Sequence, residues 1–291
     1  MNRFGCIGRR VGMCYYPMKN KSISLYFLYA WLLLFSIVPL GLVLITSFLS
    51  KDGSHLVCLP FTLSNYTQLL SPDFAQVFIR STVIALITTL FCFLLAYPFS
   101  YLLIKSKHQS MLLLLIIIPF WTSSLVRTYA LIAILKLHGI LNTVLLKLHM
   151  IDHPLSLLYS NFAVISGLIY TLFPFMVLPI FTNMEQFDFR LIEAAKDLGA
   201  NRFAIFFRVF LPNTANGIIS GCLLVFLPAM TLFYIPNVLG GARSILLGNM
   251  IQNQFLSLEN WPQGAATSMT LMLTLIIVLW VLKKHRTGGV A

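Results

Sequence analysis

The stretch Ser81–Ile104 reads STVIALITTLFCFLLAYPFSYLLI, twenty-four residues without a single charge. A helix needs about 20 mainly apolar residues to cross roughly 30 Å of hydrocarbon, so this run is long enough for one crossing. Five further uncharged stretches accompany it: Ser22–Ser50, Gln109–Val126, Pro154–Met184, Val209–Ala242 and Asn260–Leu282. Each supports one crossing and none is long enough to favour two. The third has to continue past Arg127 toward Leu135. Over all 291 residues, 58% are hydrophobic and 10% charged, against roughly 25% charged in a soluble domain. A chain this apolar cannot keep its surface dry in water. The sequence predicts an all-α polytopic membrane protein with six transmembrane helices.

The net charge of +12 invites a nucleic-acid reading. The charges, however, sit between the apolar runs. One set of segments holds Arg3, Arg9, Arg10, Lys19, Lys21, Lys105, Lys107, Arg190, Lys196, Arg202, Arg208, Lys283, Lys284 and Arg286. The alternate set holds Lys51, Arg80, Lys136, Lys147 and Arg243, while Arg127 falls inside a span. Excess Lys and Arg marks the cytoplasmic side, so six crossings place both termini in the cytoplasm. The partner this composition implies is a lipid bilayer, not nucleic acid, and the place a bacterial cell membrane.

The expected map has a basic amino-terminal segment at 1–24, a first helix at 25–49 and an outer loop at 50–78. A transmembrane domain follows at 79–282 and a cytoplasmic tail at 283–291. Within that domain the helices fall near 79–104, 111–135, 160–182, 214–235 and 264–282. The run Leu25–Leu49 is too long for a signal-peptide core and no A-x-A-like site ends it, so it reads as an uncleaved helix. Cys6, Cys14, Cys58, Cys92 and Cys222 show neither a CxxC pair nor metal-type spacing. His149 and His153 stand four apart, but Pro154 disfavours helical geometry at His153. No metal site is expected.

The inner loop around 185–212 carries half of the acidic residues: Glu185, Asp188, Glu193 and Asp197. Leu191, Ala194, Ala195 and Leu198 recur there at helical spacing. Asp188 is placed to start a helix and Gly199 to end it in the left-handed conformation. Asn201 then caps a second short helix over 202–211, with Pro212 stopping it. Phe203, Phe206, Phe207 and Phe210 make that second helix too apolar to stay in water. It should lie against the membrane interface, the bundle or another protein.

Glu193-Ala194-Ala195, Gly199 and Leu211-Pro212 resemble the EAA loop of type I ABC-importer permeases: EAA, three residues, Gly, nine residues, then I-x-L-P. Val209 stands where the pattern has Ile. Phe61–Tyr66 (FTLSNY) is similar to the F-T-L-x-N-Y segment before the second helix of many such permeases, while Pro119–Arg127 (PFWTSSLVR), Leu227–Met230 (LPAM), Gly240-Gly241-Ala242 and Trp261–Ala266 (WPQGAA) are similar to the polyamine branch of that family, the permeases of spermidine/putrescine importers. The likeness covers nearly the whole chain after the first twenty or so residues. It implies a type I permease fold and a loop that docks on an ATPase. It also implies a second permease subunit, an ABC ATPase dimer and an extracytoplasmic substrate-binding protein. The chain itself would be no enzyme and bind no cofactor, ATP and Mg being used by the ATPase.

A polyamine is a flexible polycation, held by aromatic faces and acidic groups. No Asp or Glu lies inside a span; Asp52, Asp73, Asp152 and Glu259 are in outer segments. The pathway candidates are Trp121, Tyr129, Tyr170, Tyr234 and Glu259. Each has a bland reading beside it: an interfacial aromatic belt or packing for Tyr129 and Tyr234, and a solvated loop carboxylate for Glu259. Trp121 is too deep for a belt. Pro98, Pro119, Pro174, Pro179 and Pro228 read either as hinges or as static kinks. Arg127 reads either as snorkelling to the outer surface or as paired with a partner's carboxylate.

A membrane-embedded enzyme would need paired acids or a Ser/His or His/Glu constellation at membrane depth, and none is present. A secondary transporter commonly places ionisable groups at the midplane, which these spans lack. A type I ABC permease for another solute, such as thiamine, iron or sulfate, is the serious alternative.

Overall fold

The computed structural model describes residues 21–52, 55–241 and 245–287. The basic residues Arg3, Arg9, Arg10 and Lys19, the cysteines Cys6 and Cys14, and Ala242 and Arg243 lie outside these. Among the described residues six stretches are long and apolar enough to cross a membrane: Leu25–Ser47, Pro72–Lys105, Ser124–Lys147, Asn161–Glu185, Arg202–Thr231 and Trp261–Trp280. The elements are α1 (Lys21–Ser47), β1 (Ser50–Asp52), β2 (His55–Cys58), α2 (Ser64–Gln68), α3 (Pro72–Lys105), α4 (Gln109–Trp121), α5 (Ser124–Leu135) and α6 (Ile140–Lys147). Then come α7 (Asn161–Glu185), α8 (Arg190–Asp197), α9 (Arg202–Ile205), α10 (Leu211–Thr231), α11 (Leu247–Leu256) and α12 (Trp261–Thr287).

The centre of the bundle is α7, which packs on both α3 and α10, themselves in contact. Its buried stripe of Val164, Leu168, Leu172, Met176, Ile180 and Met184 recurs every four residues, as one helix face requires. On α10, Gly217 and Gly221 form a small-xxx-small pair facing α7. A Cβ on Gly217 would stand 2.8 Å from the Pro179 carbonyl oxygen, and one on Gly221 2.8 Å from Met176 Sδ. Small residues here let two backbones approach, the usual basis of helix association in lipid. At one side α1 packs against α12.

Several expected boundaries move. The second crossing starts at Pro72, so 72–78 is helix and not loop. Pro72 occupies the first turn, Ser71 Oγ accepts from the Phe74 N–H at 3.4 Å, and Asp73 and Lys105 complement the two ends of the dipole. The rest of the expected outer loop is ordered by a β1–β2 hairpin, antiparallel with Ser50 opposite Cys58, and by Asn65 and Tyr66. Asn65 Nδ2 donates to the Ser47 and Leu49 carbonyls at 3.1 and 2.8 Å, closing the end of α1, and Tyr66 OH shares a 2.8 Å hydrogen bond with Ser47 Oγ. The sixth helix continues through Thr287, so 283–287 is helical and not a separate tail. The fifth stops at Thr231, three residues past Pro228.

The helix expected over 111–135 is two helices. Thr122 and Ser123 are extended between α4 and α5. Pro119 has no N–H to give the ladder, and Thr122 Oγ1 donates back to the Pro119 carbonyl at 2.6 Å, offering the chain an alternative to the next helical bond. Pro98, Pro174 and Pro179, by contrast, sit inside unbroken helices. His149–His153 is a turn, with His149 at φ 54°, so the two histidines share no helix face.

Candidate functional site

Between the fourth and fifth crossings the chain forms a helical hairpin. Asp188 Oδ1 accepts from the Arg190 N–H at 3.0 Å and starts α8. At its other end Gly199 has φ +79°. The Gly199 N–H donates to the Lys196 carbonyl at 2.8 Å and the Ala200 N–H to the Ala195 carbonyl at 3.0 Å. That pair of bonds is a Schellman ending, and it reverses the chain. Asn201 Oδ1 then accepts from the Ala204 N–H at 2.7 Å and caps α9.

The second arm does not end at Pro212. After α9, Phe206–Phe210 is one π-helical turn that runs directly into α10. Proline is tolerated in the first turn of a helix, and a wider turn immediately before it removes the i→i−4 bond that Pro212 could not make. Leu211 and Pro212 therefore join the hairpin to the fifth crossing instead of separating them. The joint is fixed by rings. Phe210 is buried and packs edge-on to Tyr97, Tyr101 and Phe187, with centroids at 6.1, 5.6 and 5.1 Å. Tyr97 OH shares a 3.1 Å hydrogen bond with Thr214 Oγ1, tying α3 to α10.

The hairpin has two faces. Leu191, Glu193, Ala194, Gly199 and Pro212 are exposed and Ala195 and Leu211 half-buried. Leu198 is 88% exposed and Phe203 77%. The apolar stripe read from the sequence thus points away from the chain's own core. The opposite face, with Ile192 and Lys196, borders a cavity of about 690 Å³ under the hairpin.

A second cavity of about 570 Å³ lies among α3, α4, α5 and α7 and is lined by Leu95, Phe99, Phe120, Arg127, Tyr170 and Phe173, among others. Arg127 is half-buried at the edge of this cavity. Its guanidinium turns back over the Phe120 ring at 5.1 Å, and its Nε is buried without a partner among the described residues. Of the five aromatic and acidic pathway candidates only Tyr170 lines this cavity. Trp121, 84% exposed, ends α4 beside the break, and Tyr129 is exposed on α5. Tyr234 is half-buried against the core. Glu259 is exposed in the α11–α12 loop at φ 49°, apart from the cavity.

The sequence reading missed α11 and its amides. Asn249 Nδ2 donates to Asn237 Oδ1 and to the Phe233 carbonyl, Asn237 Nδ2 to Gln252 Oε1 at 2.7 Å, and Thr267 Oγ1 to Gln254 Oε1 at 2.9 Å. These bonds bind together α11, α12 and the segment that follows α10. Apolar positions 247, 250, 251 and 255 carried the helical signal inside what had been read as loop.

Residues 81–283 match the family described as binding-protein-dependent transport system inner membrane component. The chain belongs to that family. As such a component it is a multi-pass inner membrane protein with the type I ABC permease fold. Among its relatives is the spermidine/putrescine transport system permease protein PotB of Haemophilus influenzae, 45% identical over 90% of this chain and 93% of that one. The protein of the same name from Escherichia coli is 47% identical over 86% and 92%. Among solved structures, a bacterial ABC transporter that imports the acidic polysaccharide alginate superposes with a TM-score of 0.72 at 14% identity, covering 92% of this chain and 95% of that one. The alginate transporter bound to an alginate-loaded periplasmic protein gives 0.71 at the same identity.

Proposed function

We propose that this chain is the transmembrane permease subunit of an ATP-driven importer of polyamines, spermidine or putrescine, and that the hairpin is its coupling handle. The coupling half rests on one observation: the hairpin's outward face of Leu191, Ala194, Leu198 and Phe203 is left uncovered by the chain that makes it. An exposed apolar patch calls for a partner, and small alanines let that partner come close. The partner is an ABC ATPase dimer, which uses ATP and Mg and grips Glu193–Gly199. The excess of basic residues on the hairpin's side supports placing it, with both termini, in the cytoplasm.

The polyamine half is supported by the relatives of 45–47% identity, whose names give spermidine and putrescine as their solutes. Thiamine or iron, as solutes of other type I permeases, have no such support. The break at Thr122–Ser123 supports Trp121 on the pathway. It lies about 20 Å along from Gln109, and irregular backbone at membrane depth is tolerated only against protein or a water-filled cavity. Trp121 and Tyr170 then offer aromatic faces to ammonium groups as the bundle alternates between inward and outward states. A second permease subunit completes the cavity, and an extracytoplasmic binding protein delivers the solute to the outer segments, Glu259 included.

Uptake of radiolabelled spermidine into liposomes holding all partners, with ATP on the hairpin's side, tests both halves. Spermidine should accumulate only with ATP and the ATPase present. Uptake of thiamine but not spermidine would overturn the solute, and uptake without the ATPase would overturn the coupling.

A further inference from the structure

The cavity beneath the hairpin is lined by three basic side chains from three elements: Lys105 at the end of α3, Lys196 on α8 and Arg202 on α9. None has a carboxylate partner among the described residues, and no Asp or Glu lines the cavity. Lys105 Nζ instead stands 4.3 Å from the centroid of the Tyr101 ring. The remaining wall is aromatic and apolar: Tyr97, Tyr101 and Phe206 with Ile192. Three cations around one cavity with an apolar floor match the two ends of an anionic amphiphile.

We propose that this cavity binds the head group of an anionic phospholipid, its phosphate between Lys105, Lys196 and Arg202 and its acyl chains along Tyr97 and Phe206. Two features favour a lipid over a soluble protein partner. Tyr97 lies eight residues before Lys105, about 12 Å deeper in the span, at a depth acyl chains reach and a soluble partner does not. The cavity-facing residues Ile192 and Lys196 also point away from the stripe of Leu191, Ala194 and Leu198, so the two surfaces can be occupied together. Basic clusters where a span leaves the hydrocarbon recognise anionic head groups in this way. Held there, a lipid would wedge α3 against the hairpin and fix the angle at which the handle leaves the bundle. The inference does not depend on which solute crosses.

The test is retention of phosphatidylglycerol by the purified complex in native mass spectrometry, after exchange from vesicles of equal phosphatidylglycerol and phosphatidylcholine. The wild type should keep phosphatidylglycerol in preference to phosphatidylcholine. Lys105→Gln, which lies outside the hairpin, should lower that preference about fivefold, and adding Lys196→Gln and Arg202→Gln about fivefold more for each. Lys107→Gln, two residues away and not lining the cavity, should keep it, which separates loss of the site from loss of fold. Equal retention in the wild type and the triple variant would overturn the proposal. So would displacement of the lipid by millimolar inorganic phosphate, which would make this a free-anion site, or retention by the permease subunits alone but not by the complex that holds the ATPase, which would assign the cavity to protein contact.

Discussion

The Ala200 N–H donates to the Ala195 carbonyl at 3.0 Å across Gly199, whose φ of +79° makes that bond geometrically available. A Cβ at Gly199 would meet nothing within 4 Å, so the constraint is in the backbone and not in packing. A β-branched residue there bears the left-handed penalty of about 1–2 kcal/mol. Gly199→Val should reduce ATP-driven uptake about 5- to 30-fold while the protein still inserts, and Gly199→Asn should retain most of it because Asn tolerates this region. Uptake assays with membrane-insertion controls check both, and normal uptake by Gly199→Val would remove the coupling role.

Gly217 is the opposite case, since a side chain there collides with the backbone of α7. Gly217→Leu should destabilise the chain by about 1–3 kcal/mol or more, seen as a lower thermal midpoint in detergent. The half-buried Gly41, where a Cβ meets nothing within 4 Å, should accept Ala without such a drop.

Tyr97→Phe and Thr214→Val each break the hydrogen bond that ties α3 to α10. Hydrogen bonds of this kind between membrane helices average about 0.6 kcal/mol and reach about 1.7. A double-mutant cycle read by unfolding in mixed micelles should give a coupling energy in that range. A value near zero would assign the contact to the rings alone.

Trp121→Leu removes an exposed aromatic face next to the break while leaving the chain's core untouched. If the indole meets ammonium groups, a cation–π loss of about 0.5–2 kcal/mol follows. The half-saturating spermidine concentration should then rise about 2- to 30-fold, with chain stability unchanged. An unaltered value would move the pathway elsewhere.

Arg127 places a guanidinium in an apolar cavity without a partner for Nε among the described residues. Relieving the burial of an unpartnered polar atom is neutral or stabilising. Arg127→Met should leave the thermal midpoint of the isolated chain equal or higher. A fall of several degrees would show that the guanidinium supports the fold through its stacking on Phe120.

The six crossings were legible because a run such as Ser81–Ile104 has one physical solution in lipid. The hairpin was legible because Asp188, Gly199 and Asn201 act on atoms two to four residues away. What sequence could not supply depended on distant partners or on competition within one turn. The break at Thr122 is decided by a hydroxyl that can donate to Pro119 or leave it in the ladder. Pro212 reads as a stop until the π-turn at Phe206–Phe210 is known. Of the pathway candidates, Tyr170 gains its place only when α7 is set against α4. Tyr234 and Glu259 stay outside that cavity because Tyr234 packs into the core and Glu259 into a surface loop.

The joint at Leu211-Pro212 has a mechanical corollary. Arg202–Thr231 forms one span of 30 residues, about 45 Å from end to end. If it moves as a single rod, each degree of tilt imposed at Asn201 shifts Thr231 by about 0.8 Å. The amide lattice of Asn237, Asn249 and Gln252 sits at the far end of that stroke. A small pull on one surface of the membrane would then be delivered, undamped, to the opposite one.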